Sequence, residues 1–205
     1  MLPDAKELAM GNSLVTWETV QKQNYGIDMN LLDSRVSFSA DVFFEKRRDI
    51  LSKRNTLPSI TAVNLPLINL GKVNNHGYEI SLGWKDKAQQ VGYWLKANIS
   101  FARNKIIYMD EVPPNEHYMA QTGRCIGLNY GYIFDRFFLP SDFDSQGNMA
   151  NPDIPKMAVT PKPGDAIYKD LNHDGKVDSN DKTYFGHSER PEYIAGMLAG
   201  FNWKN

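Results

Sequence analysis

Apolar and polar residues alternate along five stretches of the chain, which is the pattern of β-strands whose two faces meet different surroundings. The stretches are 24–31, 36–45, 77–84, 93–102 and 193–203. Asp33 and Ser34 form a short turn between the first two, and the polar residues 85–90 join the next two. The first four stretches are therefore predicted to form two β-hairpins, and the fifth a single strand.

The residues between these strands are rich in proline, glycine and polar side chains, which is typical of loops. Charged residues at 45–49 are expected to end the second strand. One short alternation, through Tyr130, Tyr132 and Phe134, lies in the longest loop. The predicted divisions are a frayed start at 1–15, strands over 16–103 with a loop at 47–75, a long loop over 104–191, and a final strand at 192–205.

Residues 170–181 have the ligand spacing of an EF-hand-type calcium loop. The side-chain oxygens in this pattern belong to Asp170, Asn172, Asp174, Asp178 and Asp181. Gly175 occupies the sixth position, where the chain turns sharply, and Lys176 occupies the seventh, which contributes a backbone carbonyl. These six ligand positions predict a structural calcium site. The alternative is an acidic turn without metal, because Asp, Asn and Gly also favour turns.

Composition excludes several classes of protein. The net charge of −1 argues against a nucleic-acid partner, whose binding face would be basic. The single cysteine permits neither an internal disulfide nor a Cys-based zinc site. No stretch reaches the roughly 20 apolar residues of a membrane helix. Membrane β-barrels escape this last test because their strands alternate over about 10 residues.

A soluble β-sandwich and a membrane barrel both place apolar residues on one face of each strand. Strand length favours the barrel, because sandwich strands are typically about 5–6 residues long. Short and long connections also alternate along the chain, as they do in outer-membrane barrels. Aromatic residues near the strand ends resemble interfacial girdles. These are Tyr25, Phe44, Tyr78, Trp84, Tyr93, Phe101, Tyr193 and Trp203.

No arrangement of catalytic groups is visible in the sequence, so the protein is predicted not to be an enzyme. Asp28 and Glu79 could form a glycosidase pair, but isolated carboxylates on a wet face more often serve solvation. Tyr130, Tyr132 and Phe134 are a candidate surface for a ligand or a partner, since exposed aromatic rings anchor interfaces. The alternative is that these rings pack the long loop onto itself.

Five blocks of sequence, in this order, resemble the carboxy-terminal part of the SusC/RagA family of TonB-dependent outer-membrane transporters. The blocks are Leu14–Leu51, Gly71–Trp84, Tyr93–Ile106, Pro163–Gly186 and Pro191–Trp203. The resemblance implies an all-β segment of an antiparallel transmembrane β-barrel, with about five membrane strands and long extracellular loops. It also implies import of oligosaccharides or peptides, energised by TonB, and pairing with a SusD-like surface lipoprotein.

The family's plug domain and TonB-contacting box have no counterpart in this sequence, so we expect the chain to be a fragment. TonB would act through that missing amino-terminal part. The resemblance places the protein in the outer membrane of a Gram-negative bacterium. The alternation of short and long connections places the predicted calcium loop outside the cell. The alternative functions are a stand-alone calcium-binding β-sandwich and a dockerin-like interaction module.

Overall fold

The computed structural model describes residues 12–56 and 66–204, which form nine β-strands and three 3-10 helices. The strands are β1 (Thr19–Leu31), β2 (Val36–Ser52), β3 (Ile68–Ala88), β4 (Val91–Tyr108), β5 (Asn129–Tyr132), β6 (Phe134–Phe137), β7 (Ala166–Tyr168), β8 (Lys182–Phe185) and β9 (Tyr193–Trp203). The 3-10 helices are His117–Met119, Pro140–Asp142 and Ser179–Asp181. None of the helices in these residues is long and apolar enough to span a membrane. The predicted frayed start at 1–15 lies largely outside the described residues.

The chain divides into two compact units. The first, the sheet unit, contains the described residues up to Glu111, the short segment Thr122–Ile126, and the residues from Ser188 onward. The second, the loop unit, contains Val112–Gln121 and Gly127–His187. The fold of each unit follows from its own sequence pattern.

The five long strands of the sheet unit form one antiparallel sheet in the order β1-β2-β3-β4-β9. Their register aligns the apolar positions of neighbouring strands. One such row runs through Tyr25, Val42, Tyr78, Phe101 and Tyr193, each directly opposite the next. The predicted hairpins are therefore correct, and so is the all-β, antiparallel fold class.

One face of the sheet, the apolar face, is a continuous surface of hydrophobic side chains. Many of these side chains are solvent-exposed in the structure, and Met197 and Phe201 are 77% and 75% exposed. Within the sheet unit, no described residue covers this surface. A hydrophobic area of this extent marks a surface that meets another apolar phase.

Aromatic side chains border the apolar face at two levels. At one level Phe101 contacts Tyr78 and Tyr193, with ring centroids 5.5 and 4.7 Å apart. At the other, Trp84 and Tyr93 make an edge-to-face contact at 5.6 Å. Tyr93 and Phe101 are eight residues apart on β4, which corresponds to about 26 Å of strand. With the strand tilt of about 35–45° found in membrane barrels, this length spans about 19–22 Å along the barrel axis, which is comparable with the apolar band of about 25 Å.

The opposite face, the polar face, carries mainly serine, asparagine, glycine and charged residues. Its two aromatic residues on β2 and β4 lie over glycines of the next strand. A Cβ added to Gly77 would meet the ring of Phe43, and one added to Gly200 would meet the indole of Trp94. The absence of a side chain at each glycine lets the ring lie against the sheet, which explains how large rings fit on a face that is otherwise small and polar.

The strands extend further than the sequence analysis predicted. β2 continues to Ser52 and β3 begins at Ile68, so much of the loop predicted at 47–75 is strand. Part of that loop, 57–65, lies outside the described residues. β4 continues to Tyr108, past the predicted end at 103. The polar stretch 85–90 is also mostly strand, and only Gln89 and Gln90 form the turn.

Charged and polar residues on the hydrophobic side of the strands caused this error. Lys46, His76 and Lys105 occupy positions that continue the apolar face, and a charged or polar residue there interrupts the alternation that predicts a strand. The backbone hydrogen bonds continue past these three residues. Where a strand passes from an apolar layer into water, its hydrogen-bond ladder continues and only the polarity of its side chains changes. A bulge at Asp49, where φ is +58°, then shifts the register of β2.

The loop unit replaces most of the irregular region predicted at 104–191. It contains two small antiparallel sheets, β5-β8 and β6-β7. Their strands flank a small hydrophobic core that consists of Phe138, Ile154 and Ile167, with Phe143, Met149 and Met157 packed against it. This core fixes the connections in which the candidate site residues lie.

Candidate functional site: the acidic loop and its surroundings

The acidic loop, residues 170–181, connects β7 to β8 within the loop unit. Gly175 has a φ of +83°, a conformation that glycine adopts without steric cost. This is the sharp turn that the spacing predicted at the sixth position. His173, which lies between the predicted ligands Asn172 and Asp174, is exposed.

Oxygen atoms of the first half of the loop accept hydrogen bonds from its own backbone. The Oδ2 atom of Asp170 accepts from the N–H of Gly175 at 2.7 Å, and its Oδ1 accepts from the N–H of Asp174 at 3.3 Å. Asn172 Oδ1 also accepts from Asp174 at 3.1 Å. Asp174 Oδ1 in turn accepts from the N–H of Lys176 at 3.1 Å. The side chains therefore stabilise the turn itself.

Asp181 closes the loop and is completely buried. Its Oδ1 accepts from the N–H of Leu171 at 2.8 Å, and its Oδ2 accepts from the N–H of Asp178 at 2.7 Å. Asp178 Oδ1 accepts from Asn180 at 2.8 Å, which completes a reciprocal cap on the last 3-10 helix. One buried carboxylate thus joins the beginning of the loop to its end.

Lys176 contributes its side chain to the loop, in addition to the backbone carbonyl that we predicted as a ligand. Its ammonium nitrogen lies 2.7 Å from Asp178 Oδ2 and 3.5 Å from Asp174 Oδ2. The hydrogen bond from Lys176 is the main reason why the pKa of Asp178 is below its usual range. Positive charge therefore already lies between two of the predicted ligands.

The fit of this loop to a calcium ion is mixed. All six predicted positions lie on one tight loop, and their oxygen donors suit a hard cation. Within the described residues, however, no group of three or more Asp, Glu, His or Cys side chains is arranged to hold a metal ion. The carboxylates instead bind backbone N–H groups and the Lys176 ammonium. Calcium at this loop stays a prediction.

The three aromatic residues predicted as a surface differ in their surroundings. Tyr132 is half-buried against Tyr168, at 5.4 Å between ring centroids, and Lys182 lies over its ring at 5.2 Å. Tyr130 is 46% exposed and Phe134 is 47% exposed. The alternative interpretation, internal packing, therefore describes Tyr132 best, and the other two present accessible ring surface.

Two exposed apolar residues beside this patch were not among the predicted site residues. Phe137 contacts Phe134, with 5.0 Å between ring centroids, and is 58% exposed. Leu139 follows and is 54% exposed. The aromatic-rich run from Tyr130 to Phe138 was the sequence signal for this patch. That run does not by itself show that Phe137 is exposed and Phe138 is buried.

An ion pair between the partly exposed Arg136 and the buried Asp142 stabilises the connection after β6. Arg136 donates to Asp142 Oδ2 at 2.7 Å and to Oδ1 at 3.1 Å, and the N–H of Leu139 donates to Oδ2 at 2.8 Å. The Arg136 guanidinium is the main reason why the pKa of the Asp142 carboxyl is below its usual range. The pair lies beside Phe138, so it holds the edge of the small core in place.

A family model described as "TonB dependent receptor-like, beta-barrel" matches residues 2–186. The chain belongs to this family. Members of the TonB-dependent receptor family are outer-membrane proteins of Gram-negative bacteria.

Relatives in this receptor family resemble the chain along nearly its whole length. TonB-dependent receptor P3 of Formosa agariphila is 26% identical over 207 residues, and TonB-dependent receptor SusC of Bacteroides thetaiotaomicron is 24% identical over 205 residues. Each match covers 95% of this chain, but only 20% and 19% of the relative. The chain therefore spans about a fifth of the length of the curated relatives that it matches.

Solved structures show the same fold. The RagAB peptide importer in its "open-open" state matches 96% of this chain and 20% of its own, at a TM-score of 0.68 and 17% identity. The RagAB peptide transporter matches 95% of this chain and 21% of its own, at a TM-score of 0.65 and 18% identity. The predicted resemblance to the SusC/RagA type of TonB-dependent receptor is confirmed.

The ion pair between Arg136 and Asp142 predicts how the loop unit of this receptor responds to acid. The folded-state pKa of Asp142 is lowered, so its stabilising effect is complete above the ordinary carboxyl pKa of about 3.9 and is lost as pH falls through the folded value. We expect the 136–150 segment to become more mobile below about pH 4. Hydrogen–deuterium exchange from pH 7 to pH 3, corrected for intrinsic rates, measures this.

An Asp142→Asn variant is the matched control, because it keeps the shape of the side chain and removes the titration. Its 136–150 segment should exchange faster than the wild type at pH 7 and depend less on pH. Equal exchange by the two proteins across this range would contradict a stabilising role for the pair.

Proposed function

We propose that this chain forms part of the wall of an outer-membrane, TonB-dependent importer of oligosaccharides or peptides. The observation that carries the proposal is the two-faced sheet, whose exposed apolar face is bordered by aromatic rings on both sides. In a barrel wall this face contacts lipid, and the polar face lines a wet lumen. Membership of the receptor family supports the same assignment.

The connections between strands support one orientation. β1 and β2 are joined by residues 32–35, and β3 and β4 by Gln89 and Gln90. Both short turns lie at one end of the sheet, and the other two connections leave β2 and β4 at the opposite end. Outer-membrane barrels have short periplasmic turns and long external loops. The loop unit is therefore assigned to the outside of the cell.

The two alternative functions have less support. A soluble β-sandwich needs a second layer over the apolar face, and the described part of the sheet unit supplies none. A dockerin-like module needs paired helices beside its calcium loops, whereas the described residues contain only 3-10 helices of three residues. The acidic loop here leads directly into β8.

The partners of this importer are proposed from its family resemblance. A SusD-like surface lipoprotein would cover the outside of the barrel, and TonB would supply energy from the periplasm. The exposed rings of Tyr130, Phe134 and Phe137 belong to the loop unit, the part of the chain that we propose to be extracellular. The matched RagAB structure is described as a peptide transporter. For the importer that contains this chain we propose the broader cargo class of oligosaccharides or peptides.

Calcium is proposed as a structural ion of the acidic loop. The support is the spacing of Asp170, Asn172, Asp174, Asp178 and Asp181, together with the turn at Gly175. Binding would require the Lys176 ammonium to leave Asp174 and Asp178, which a flexible, exposed lysine side chain can do. The bound ion would then replace that charge and gather the same oxygens.

Contact of the apolar face with lipid predicts opposite results for two neighbouring residues of β9. Met197 lies on the apolar face, midway between Tyr193 and Phe201, and Leu198 lies on the polar face. Met197→Arg should reduce the folded protein in outer membranes, because arginine at the bilayer midplane costs about 2–4 kcal/mol. Leu198→Arg adds the same side chain on the wet face and should be tolerated.

The measurement for this pair is the heat-modifiable band of folded barrel on gels of isolated outer membranes. Leu198 is 60% exposed and Met197 is 77% exposed in the structure. Loss of packing would therefore not explain a difference between the two variants. Equal amounts of folded protein from the two variants would show that the apolar face does not contact lipid.

Import predicts a growth phenotype that depends on TonB. Cells without this protein should lose growth on one oligosaccharide or peptide mixture and keep growth on its monomers, because monomers enter by other routes. Removal of TonB should give the same loss, and restoring the gene should reverse it. Growth that is unchanged by removal of either protein, across both classes of nutrient, would refute the proposed function.

Calcium binding predicts a change confined to the loop unit. Chelation should increase protease cleavage within 112–187 without reducing the folded barrel band, because the ion would order the loop and not the sheet. Asp170→Ala with Asp174→Ala should remove the response, and Asp153→Ala, an exposed residue outside the acidic loop, should keep it. Cleavage that is the same with and without chelator would argue for the metal-free acidic turn.

A further inference from the structure

The first segment of the loop unit, Val112–Gln121, is a short excursion of the chain that we call the strap. It begins after Glu111 and ends before Thr122, and the N–H of Thr122 donates to Glu111 Oε1 at 2.9 Å. The two ends of the strap therefore meet. A compact loop whose ends are close together is an Ω-loop, a class that is frequently functional.

The two ends of the strap differ in backbone stiffness. Pro113 and Pro114 lie at its start, and their rings fix the backbone φ angle near about −65°. Gly123 lies just beyond its other end and has a φ of +91°, a conformation that glycine adopts without steric cost. The start of the strap is therefore stiff, and its end adjoins a residue that can absorb a change of torsion angle.

Hydrogen bonds attach the tip of the strap to the end of the acidic loop. The hydroxyl of Tyr118 donates to the carbonyl of Asn180 at 2.7 Å, and the hydroxyl of Thr183 donates to the carbonyl of Tyr118 at 2.7 Å. The amide of Asn115 donates to Asn180 Oδ1 at 3.2 Å. We call these three hydrogen bonds the clasp. They join parts of the loop unit that are distant in sequence.

The clasp holds a part of the acidic loop that the loop's own side chains also hold. Asn180 belongs to the 3-10 helix Ser179–Asp181, and its N–H donates to Asp178 Oδ1 at 2.8 Å. Asp181 of the same helix is buried and accepts from the N–H groups of Leu171 and Asp178. A change in the geometry of this helix therefore moves the carbonyl to which Tyr118 donates.

The strap is attached without contributing to the small hydrophobic core. Each of its residues is exposed or half-buried, and the core consists of residues from other segments. Burial raises the pKa of the Tyr118 hydroxyl, and the charges of Glu116 and Asp181 raise it further. The hydroxyl is therefore a neutral donor at pH 7. Attachment through hydrogen bonds, outside the core, is typical of segments that open locally.

We propose that the strap and residues 178–183, which form the end of the acidic loop and the start of β8, open and close as one unit. Through the clasp, order in the 3-10 helix orders the strap, and order in the strap orders the helix. The small core stays folded while both segments open. A ligand that orders either segment therefore also orders the other. This inference goes beyond the proposed function and requires neither import nor a calcium ion.

A similar acidic turn elsewhere in the loop unit offers a matched comparison. Asp144 Oδ1 accepts from the N–H of Gln146 at 2.9 Å and from the N–H of Asn148 at 2.8 Å. Among the described residues, the hydrogen bonds of Asp144 stay within 144–148. This turn is therefore capped by a carboxylate as the helix at Asp178 is, but it has no clasp to the strap.

The test is hydrogen–deuterium exchange of the complete receptor in detergent at pH 7, with a chelator in every sample. The peptides compared cover the strap, residues 178–183 and the core segment 138–157. In the strap, the N–H groups of Met119 and Ala120 are hydrogen-bonded, and in the second segment those of Asp178 and Asp181 are. Exchange of these groups therefore measures the opening of each segment.

Asp178→Ala removes the cap of the helix and leaves every atom of the clasp in place. Exchange of the strap should become about two- to tenfold faster, which corresponds to the net contribution of one hydrogen bond. Asp144→Ala is the matched control, because it removes an equivalent cap from the turn without a clasp. It should leave exchange of the strap unchanged.

Tyr118→Phe tests the coupling in the opposite direction. It removes one hydroxyl of the clasp and keeps the ring, so exchange of residues 178–183 should also become about two- to tenfold faster. Tyr168→Phe makes the same change at a residue whose contact with Tyr132 is made by its ring. This control should leave exchange of residues 178–183 unchanged.

Three results would overturn the proposal. The first is unchanged exchange of the strap in Asp178→Ala, and the second is unchanged exchange of residues 178–183 in Tyr118→Phe. The third is an equal increase in the core segment 138–157, which would show that the loop unit opens as a whole. Because chelator is present throughout, these results would leave the proposals of import and of calcium binding standing.

Discussion

The structure of the sheet unit depends on one constraint, the strict two-residue period of a β-strand. In the observed register Val42 of β2 pairs with Tyr78 of β3. If β2 slipped by one residue, Phe43 would lie on the apolar face and Val42 on the polar face; if β3 slipped, Tyr78 would lie on the polar face. Because no described residue of the unit covers the apolar face, we propose that its side chains meet an apolar medium. In such a medium every backbone group must also be paired, which the continuous ladder of the inner strands achieves.

This constraint explains why the faces of the sheet could be predicted from sequence and the strand ends could not. Each position from Tyr25 to Leu31 requires either an apolar or a polar side chain, so alternation alone assigns each residue to one face of the sheet. Beyond Phe44 the same face of β2 meets different surroundings. Lys46 suits those surroundings as well as a valine suits the apolar part of the strand before Phe44. The sequence signal for strand then disappears, although the backbone hydrogen bonds continue to Ser52.

The acidic loop shows a different limit of prediction. Its spacing correctly predicted the turn at Gly175 and which side chains share one short loop, because both follow from local backbone geometry. The same oxygens can bind backbone N–H groups, the ammonium of Lys176 or a metal ion. Spacing carries no information about which of these partners is present. Asp181 illustrates this, since complete burial with two N–H donors makes it structural in every case.

The polar face carries a network of paired charges at one end, and this network has a physical consequence. Where Lys22, Glu45, Arg47 and Glu18 form a network, each charge mainly fixes the position of its neighbours. A wall that only had to be wet could use serine and asparagine throughout, as much of this face does.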